Sequence, residues 1–366
     1  MERCPACPDS GPVNLDDSTT WSALDSQGML AMAEDFPGQC REGLRIGEQS
    51  QLDESYARVP NAIVLVGMGG SAIGGDLFAR IYEEVLPVPV QVVRDYALPS
   101  FVDEGTLVIT CSYSGNTEEV LEAYDQAVAR GCRVLSVTSG GQLEQRSLRT
   151  SAAVIKVPGG RPPRAAIGFM LMPLLMLAPR LGFVPDNAGD REETLGLLDQ
   201  QAEAFHRSTP TPENPAKQVA HALHGRFPLI YATSPTMAPV AFRWRTQLNE
   251  NAKVLAISHE LPELNHNEVV GWELGLGTVQ QPAVFFLQRP DDYERIKARV
   301  DITKQLIGNR APVHIESGLG RSLMAQVVTA MYLGDIASIY LAFLNGVDPY
   351  VISSIDLLKQ RLAQIG

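Results

Sequence analysis

Five short runs rich in valine and isoleucine lie near 62–66, 90–93, 106–110, 133–137 and 153–157. They are apolar on both faces and alternate with helix-patterned segments at 75–84, 117–130 and 142–149. Strands apolar on both faces, separated by helices, belong to a parallel sheet covered on both sides. A long apolar helix at about 164–181 closes this half. After a Pro/Thr/Asn-rich stretch at 205–215 the alternation resumes, with strands near 228–232, 253–257, 283–287 and 312–315. The accompanying helices fall near 239–250, 291–307, 321–344 and 353–364. The expected fold is therefore α/β, with two domains at 24–204 and 216–366 and a linker at 205–215. Each domain is a doubly wound, flavodoxin-like parallel sheet flanked by helices. Helical periodicity begins near Leu24, and residues 1–23, rich in Pro, Asp, Ser and Thr, read as a poorly ordered tail.

A chain of 366 residues supports two full cores. The net charge of −12 argues against nucleic acid as a partner. The most apolar stretch, Ala165–Ala178, carries Pro173 and is too short to span a bilayer. The N-terminus has no charged-then-apolar leader pattern, so no membrane partner is expected. Five cysteines, at 4, 7, 40, 111 and 132, are odd in number and scattered, as reduced cytoplasmic thiols are. Cys4 and Cys7 form half of a zinc-binding pattern with no second half in the chain, so no metal is expected.

The chemistry begins at residues 108–123, VITCSYSGNTEEVLEA. An apolar run enters a loop with Ser112, Ser114 and Thr117, and Glu118 and Glu119 open a helix. Small hydroxyls and free backbone N–H groups at a helix start form an anion site without a lysine. Taken alone, the same residues are equally the caps of an ordinary turn. A second loop, GMGGSAIGGD at 67–76, follows the first strand and carries Gly70 and Ser71. Gly67, Gly69 and Ala72 also satisfy the dinucleotide pattern GxGxxA, with Asp95 beyond the next strand. No P-loop pattern occurs. Both loops leave the carboxyl ends of strands in one sheet, where ligands of open parallel sheets bind, so Ser71, Ser112, Ser114 and Thr117 can converge on one phosphate.

Three further residues stand out. Arg164 starts the apolar helix in RPPRAAIGF, and is otherwise a surface arginine. Glu250 ends a helix between two asparagines in QLNENAK, and His266 follows in LNHNE. A carboxylate and an imidazole that share a small substrate are the parts of an acid/base pair. Each is equally an ordinary helix-end or capping group.

GMGGSAIGGD and SYSGNTEE resemble the two ligand loops of sugar-isomerase (SIS) domains. From about Leu24 to Leu362 the chain resembles the bifunctional phosphoglucose/phosphomannose isomerase family, which has two SIS domains in tandem. The resemblance implies interconversion of glucose 6-phosphate and mannose 6-phosphate with fructose 6-phosphate through a cis-enediol. It implies no metal or cofactor. It assigns phosphate binding to Gly70, Ser71, Ser112, Ser114 and Thr117, the facing of the enediolate to Arg164, and proton shuttling to Glu250. Ring opening falls to His266, helped by Lys359 in the terminal ISSIDLLKQRL. It also implies a homodimer in which His266 can come from the partner chain. His259 does not match the family position. Tyr350 stands where relatives carry a small or hydroxyl residue, which bears on specificity. The same fold also serves sugar-phosphate sensors, and the GxGxxA pattern leaves a nicotinamide-dependent oxidoreductase as the remaining alternative.

Overall fold

The computed structural model describes residues 13–274 and 281–365. The CPAC pair lies outside the described residues. The first half contains α1 (Met29–Glu34), α2 (Phe36–Gln49), β1 (Ile63–Gly67), α3 (Gly69–Ile81), β2 (Val90–Val93), β3 (Leu107–Cys111), α4 (Glu118–Ala129), β4 (Arg133–Thr138), α5 (Gly141–Thr150), β5 (Ala153–Lys156) and α6 (Ile167–Arg180). Then come α7 (Ala188–Phe205), α8 (Pro215–Leu223), β6 (Phe227–Ala232), α9 (Ala238–Ala252), β7 (Ile257–Glu260), β8 (Pro282–Gln288), α10 (Glu294–Ile307), β9 (Val313–Ser317), α11 (Leu323–Leu344) and α12 (Ser353–Leu362).

The chain divides into two compact units. One comprises Asp35–Asp199 and Gly318–Thr329, and its sheet is all parallel in the order β2-β1-β3-β4-β5. The other comprises the segment up to Glu34, Gln200–Ser317 and the residues from Ala330, with a parallel sheet in the order β7-β6-β8-β9. Both orders begin 2-1-3-4, the flavodoxin-like arrangement, as expected for two similar α/β domains. The central strands β1, β3 and β8 are buried along almost their whole length, which is why they read as unbroken apolar runs.

Four local expectations change. Residues 67–75 are not an extended glycine loop, because α3 already starts at Gly69. The glycines serve packing instead: a Cβ on Gly74 would lie 3.2 Å from the Met170 carbonyl oxygen of α6. The strand expected at 253–257 lies at 257–260, on the sheet edge, where half-exposed Ser, His and Glu replace the apolar run. Residues 13–23 are packed rather than tail-like. Leu15 and Trp21 are buried, and the Trp21 indole stacks on Phe343 at 4.8 Å between ring centroids. Asp16 pairs with the fully buried Lys217 at 2.9 Å. The 205–215 stretch is also folded, since Phe205 is buried and the buried Asn214 caps α8 through the Lys217 N–H at 3.1 Å. The chain passes between the two compact units after Glu34, after Asp199 in α7, after Ser317 and after Thr329 in α11.

Among the described helices α11 is long and apolar enough to cross a membrane, but 94% of its most apolar window is buried within the protein. It is a core helix, longer than the apolar stretch at 165–178.

Candidate active site

In the first sheet, β1 ends at Gly67 and the extended Met68 leads straight into α3, with no side-chain cap at its start. Ser71 lies in the first turn, buried, and its Oγ accepts the Tyr113 N–H at 3.4 Å. That bond joins the β1–α3 turn to the β3–α4 loop. In the loop, buried Ser112 and half-buried Thr117 share a hydroxyl–hydroxyl bond of 2.8 Å. Thr117 is the N-cap residue of α4, but its side chain turns back to Ser112 and does not cap the helix. The Gly115 N–H donates to Ser112 Oγ at 3.1 Å, and the Asn116 N–H to Ser114 Oγ at 3.3 Å, with Ser114 exposed. Gly115 has φ +68°, and a Cβ there would stand 1.8 Å from the Gly140 carbonyl oxygen, so only glycine fits.

The segment between β5 and α6 crosses the same sheet edge. The Tyr113 hydroxyl donates to the Pro158 carbonyl at 2.9 Å. A Cβ on Gly70 would lie 3.3 Å from the Pro163 oxygen and 3.9 Å from the Arg164 Cα. Gly70 is thus the close-approach position that lets the Arg164 backbone lie against the first turn of α3. Arg164 is only 4% exposed. The structure therefore brings Gly70, Ser71, Ser112, Ser114, Thr117 and Arg164 to one edge of one sheet. Two helix N-termini, several hydroxyls and a buried guanidinium together suit a phosphate monoester and a neighbouring anionic centre.

In the other unit, Glu250 occupies the last turn of α9 and is half-buried. Its flanking asparagines hold the helix end. Asn249 Oδ1 accepts the Ala256 N–H at 3.2 Å, and buried Asn251 donates to Ser338 Oγ of α11 at 2.9 Å. Lys253, at φ +59°, ends the helix, and its ammonium donates to the carbonyls of Glu250 (2.6 Å) and Asp348 (3.0 Å). The Asn345 amide donates to the Ala252 carbonyl at 3.0 Å. The segment leading to Tyr350 and α12 therefore starts beside Glu250. Lys359 lies in α12, exposed, and no residue of that helix is buried.

His266 is elsewhere. Helix α9 leaves the carboxyl end of β6 and runs back, so Glu250 comes next to the start of β7. His266 lies in the turn Glu263–His266 beyond the carboxyl end of β7, exposed. Glu250 thus stands at the start of β7 and His266 beyond its end. Within one chain, β7 and the turn after it therefore lie between Glu250 and His266. His259, on β7, has Nδ1 at 3.1 Å from Glu268 Oε2, just beyond His266. The spacing of the sequence contains no sign of that contact, because it is made where the segment after β7 folds back over the strand.

Two tandem parallel sheets flanked by helices, one with a hydroxyl-lined loop where β3 ends, define a protein of the SIS type. An SIS domain model matches residues 58–178, and a model of the bacterial phospho-glucose isomerase C-terminal SIS domain matches residues 212–362. A bifunctional phosphoglucose/phosphomannose isomerase of Caldicellulosiruptor bescii is 38% identical over 92% of this chain and 99% of its own length. One from Thermoplasma acidophilum is 37% identical over 82% of this chain and 89% of its own. The chain belongs to the bifunctional phosphoglucose/phosphomannose isomerase family. Among solved structures, a hypothetical protein of Thermus thermophilus superimposes with a TM-score of 0.71 at 16% identity, covering 95% of this chain and 94% of that one, a likeness of fold.

Proposed function

We propose that this protein is an aldose–ketose isomerase that interconverts glucose 6-phosphate and mannose 6-phosphate with fructose 6-phosphate. The observation that carries this, beside membership of the family, is the convergence of Ser71, Ser112, Thr117 and buried Arg164 at one sheet edge. The phosphate does no chemistry. Its binding energy, collected by Gly70, Ser71, Ser112, Ser114 and Thr117, fixes C1 and C2 of the sugar. Arg164 faces the enediolate, and its burial strengthens that interaction over what water would allow. Glu250 moves the proton between C2 and C1, a step in which a positioned base is worth about 10²–10⁴ in rate. His266, aided by Lys359, moves the proton that opens the ring. Glucose and mannose 6-phosphates are C2 epimers and give the same enediol, so one base serves both.

The placement of Glu250 before β7 and His266 after it supports a homodimer in which each substrate meets Glu250 of one chain and His266 of the other. Three described cysteines, 40, 111 and 132, are free thiols, which fits a cytoplasmic enzyme.

The test is a coupled assay with each hexose 6-phosphate on wild type and Glu250→Gln. The expected result is turnover of both sugars by wild type and a loss of at least about 10²-fold in the variant. Full activity in Glu250→Gln would overturn the assignment of the base. Turnover of neither sugar by wild type would overturn the activity.

A further inference from the structure

The turn that carries His266 is anchored from below by a polar contact the proposed reaction does not otherwise use. Tyr231 on β6 and His259 on β7 are register partners, so their side chains emerge on the same sheet face. Glu268 meets both. The Tyr231 hydroxyl donates to Oε1, and His259 Nδ1 lies 3.1 Å from Oε2. The second contact is off the hydrogen-bond line, so its hold is that of an ion pair when the imidazole carries a proton. Tyr231 is fully buried, and burial, followed by the Glu268 charge, pushes its phenol well above the ordinary range. It therefore stays a donor.

The segment is held at both ends by apolar burial, since Leu264 and Trp272 pack in one cluster with Leu229, Tyr231 and Leu261. Between those anchors the chain carries exposed His266 and then Glu268. Asn267 Oδ1 accepts the Glu268 N–H at 2.6 Å, and Asn265 donates to Thr303 Oγ1 of α10 at 2.9 Å. Glu268 is the contact that ties the middle of the segment to the sheet.

We infer that Glu268 is a positioning residue for His266, holding its turn against Tyr231 and His259 so that the imidazole is presented at a fixed place. This rests on the reading of His266 as the ring-opening group. It is not itself a group that touches substrate.

The experiment is a double-mutant cycle on the full-length protein, with kcat/KM for glucose 6-phosphate in wild type, Glu268→Ala, His266→Ala and the double variant. Glu268→Ala in the wild-type background should lower kcat/KM by about 10–100-fold, the scale of an ångström-level misplacement. In the His266→Ala background the same change should cost less than about twofold, because the group it positions is gone. Glu268→Gln, which keeps an acceptor for the Tyr231 hydroxyl, should recover most of the loss. Equal losses in both backgrounds, or no loss from Glu268→Ala, would overturn the inference. Where Glu268→Ala does not fold, Tyr231→Phe removes the same bond with one atom and enters the cycle in its place. Full activity of His266→Ala would instead sink the ring-opening reading. The positioning claim is then decided by amide hydrogen exchange across 263–272, which must accelerate in Glu268→Ala, and unchanged exchange would refute it.

Discussion

The Arg243 guanidinium grips the Asp335 carboxylate with both ends, Nε to Oδ1 at 2.8 Å and Nη2 to Oδ2 at 2.7 Å, and both residues are buried. One residue sits on α9 and the other on α11. A turn and two turns further along α9, the helix reaches Gln247 and Asn251, the latter bound to Ser338 of α11. Trp244 adds an indole N–H to the Ala330 carbonyl at 2.9 Å and sits over Gly334, where a Cβ would lie 2.2 Å from its nitrogen. These contacts fix the rotation and register of α9, and so the place of Glu250 at its end.

Breaking that pair should be costly. Asp335→Ala leaves a buried guanidinium without its carboxylate, and the expected loss is about 3–5 kcal/mol in urea unfolding. Replacing both partners, Arg243→Met with Asp335→Leu, should recover much of it, since no buried charge then remains. A single variant as stable as wild type would show that the pair does not hold the helices.

The proposed phosphate cradle predicts a split between binding and chemistry. Ser112→Ala and Thr117→Val each remove one member of the 2.8 Å hydroxyl pair. At about 1.5–3 kcal/mol for a hydrogen bond to a charged group, each should weaken sugar-phosphate binding by roughly 10–100-fold. Titration calorimetry with glucose 6-phosphate reads this directly. Affinity unchanged in both variants would place the phosphate elsewhere.

If the site is completed across two chains, mixed variants should rescue one another. Glu250→Gln and His266→Ala, each impaired alone, would be unfolded together and reassembled. Random pairing puts both lesions in one site of each mixed dimer and leaves the other intact, so activity should return to about a quarter of wild type. Reassembled dimers without recovery would put Glu250 and His266 of one and the same chain in one site.

Glu193 gives a stability prediction with a definite sign. Its carboxylate accepts the N–H groups of Arg321 at 2.8 Å and Ser322 at 2.9 Å, just before α11. The Ser322 side chain first, and then these backbone groups, hold the Glu193 carboxyl below its ordinary range. A group with a depressed folded-state pKa stabilises the protein above its unfolded value, and loses that contribution as pH falls through the folded one. Because Glu193 is partly exposed, the difference between wild type and Glu193→Gln should be under about 1 kcal/mol at pH 7. It should shrink below about pH 4.3 and vanish in stronger acid. A difference that grows on acidification would contradict the contact.

Much of this protein was legible in its residues. The strands β1, β3 and β8 are buried on both faces, so their burial is written as runs of Val, Ile, Leu and Phe. The hydroxyl loop at 112–117 is local, and a turn within six residues needs no distant partner to be recognised. Edge strand β7 is hard to place from sequence because an edge position is half-exposed and carries no apolar run. The helical start of α3 was hidden because its glycines answer to α6, a partner about 100 residues away.

By itself, then, the sequence determined two parallel sheets flanked by helices, the hydroxyl loop at 112–117 and the family. Only the tertiary structure decided that Arg164 lies against the α3 turn, that Tyr231, His259 and Glu268 meet beneath the His266 turn, and that Glu250 and His266 stand at opposite ends of β7. The reason is physical: periodicity records how much of a residue is buried, and topology alone records against what.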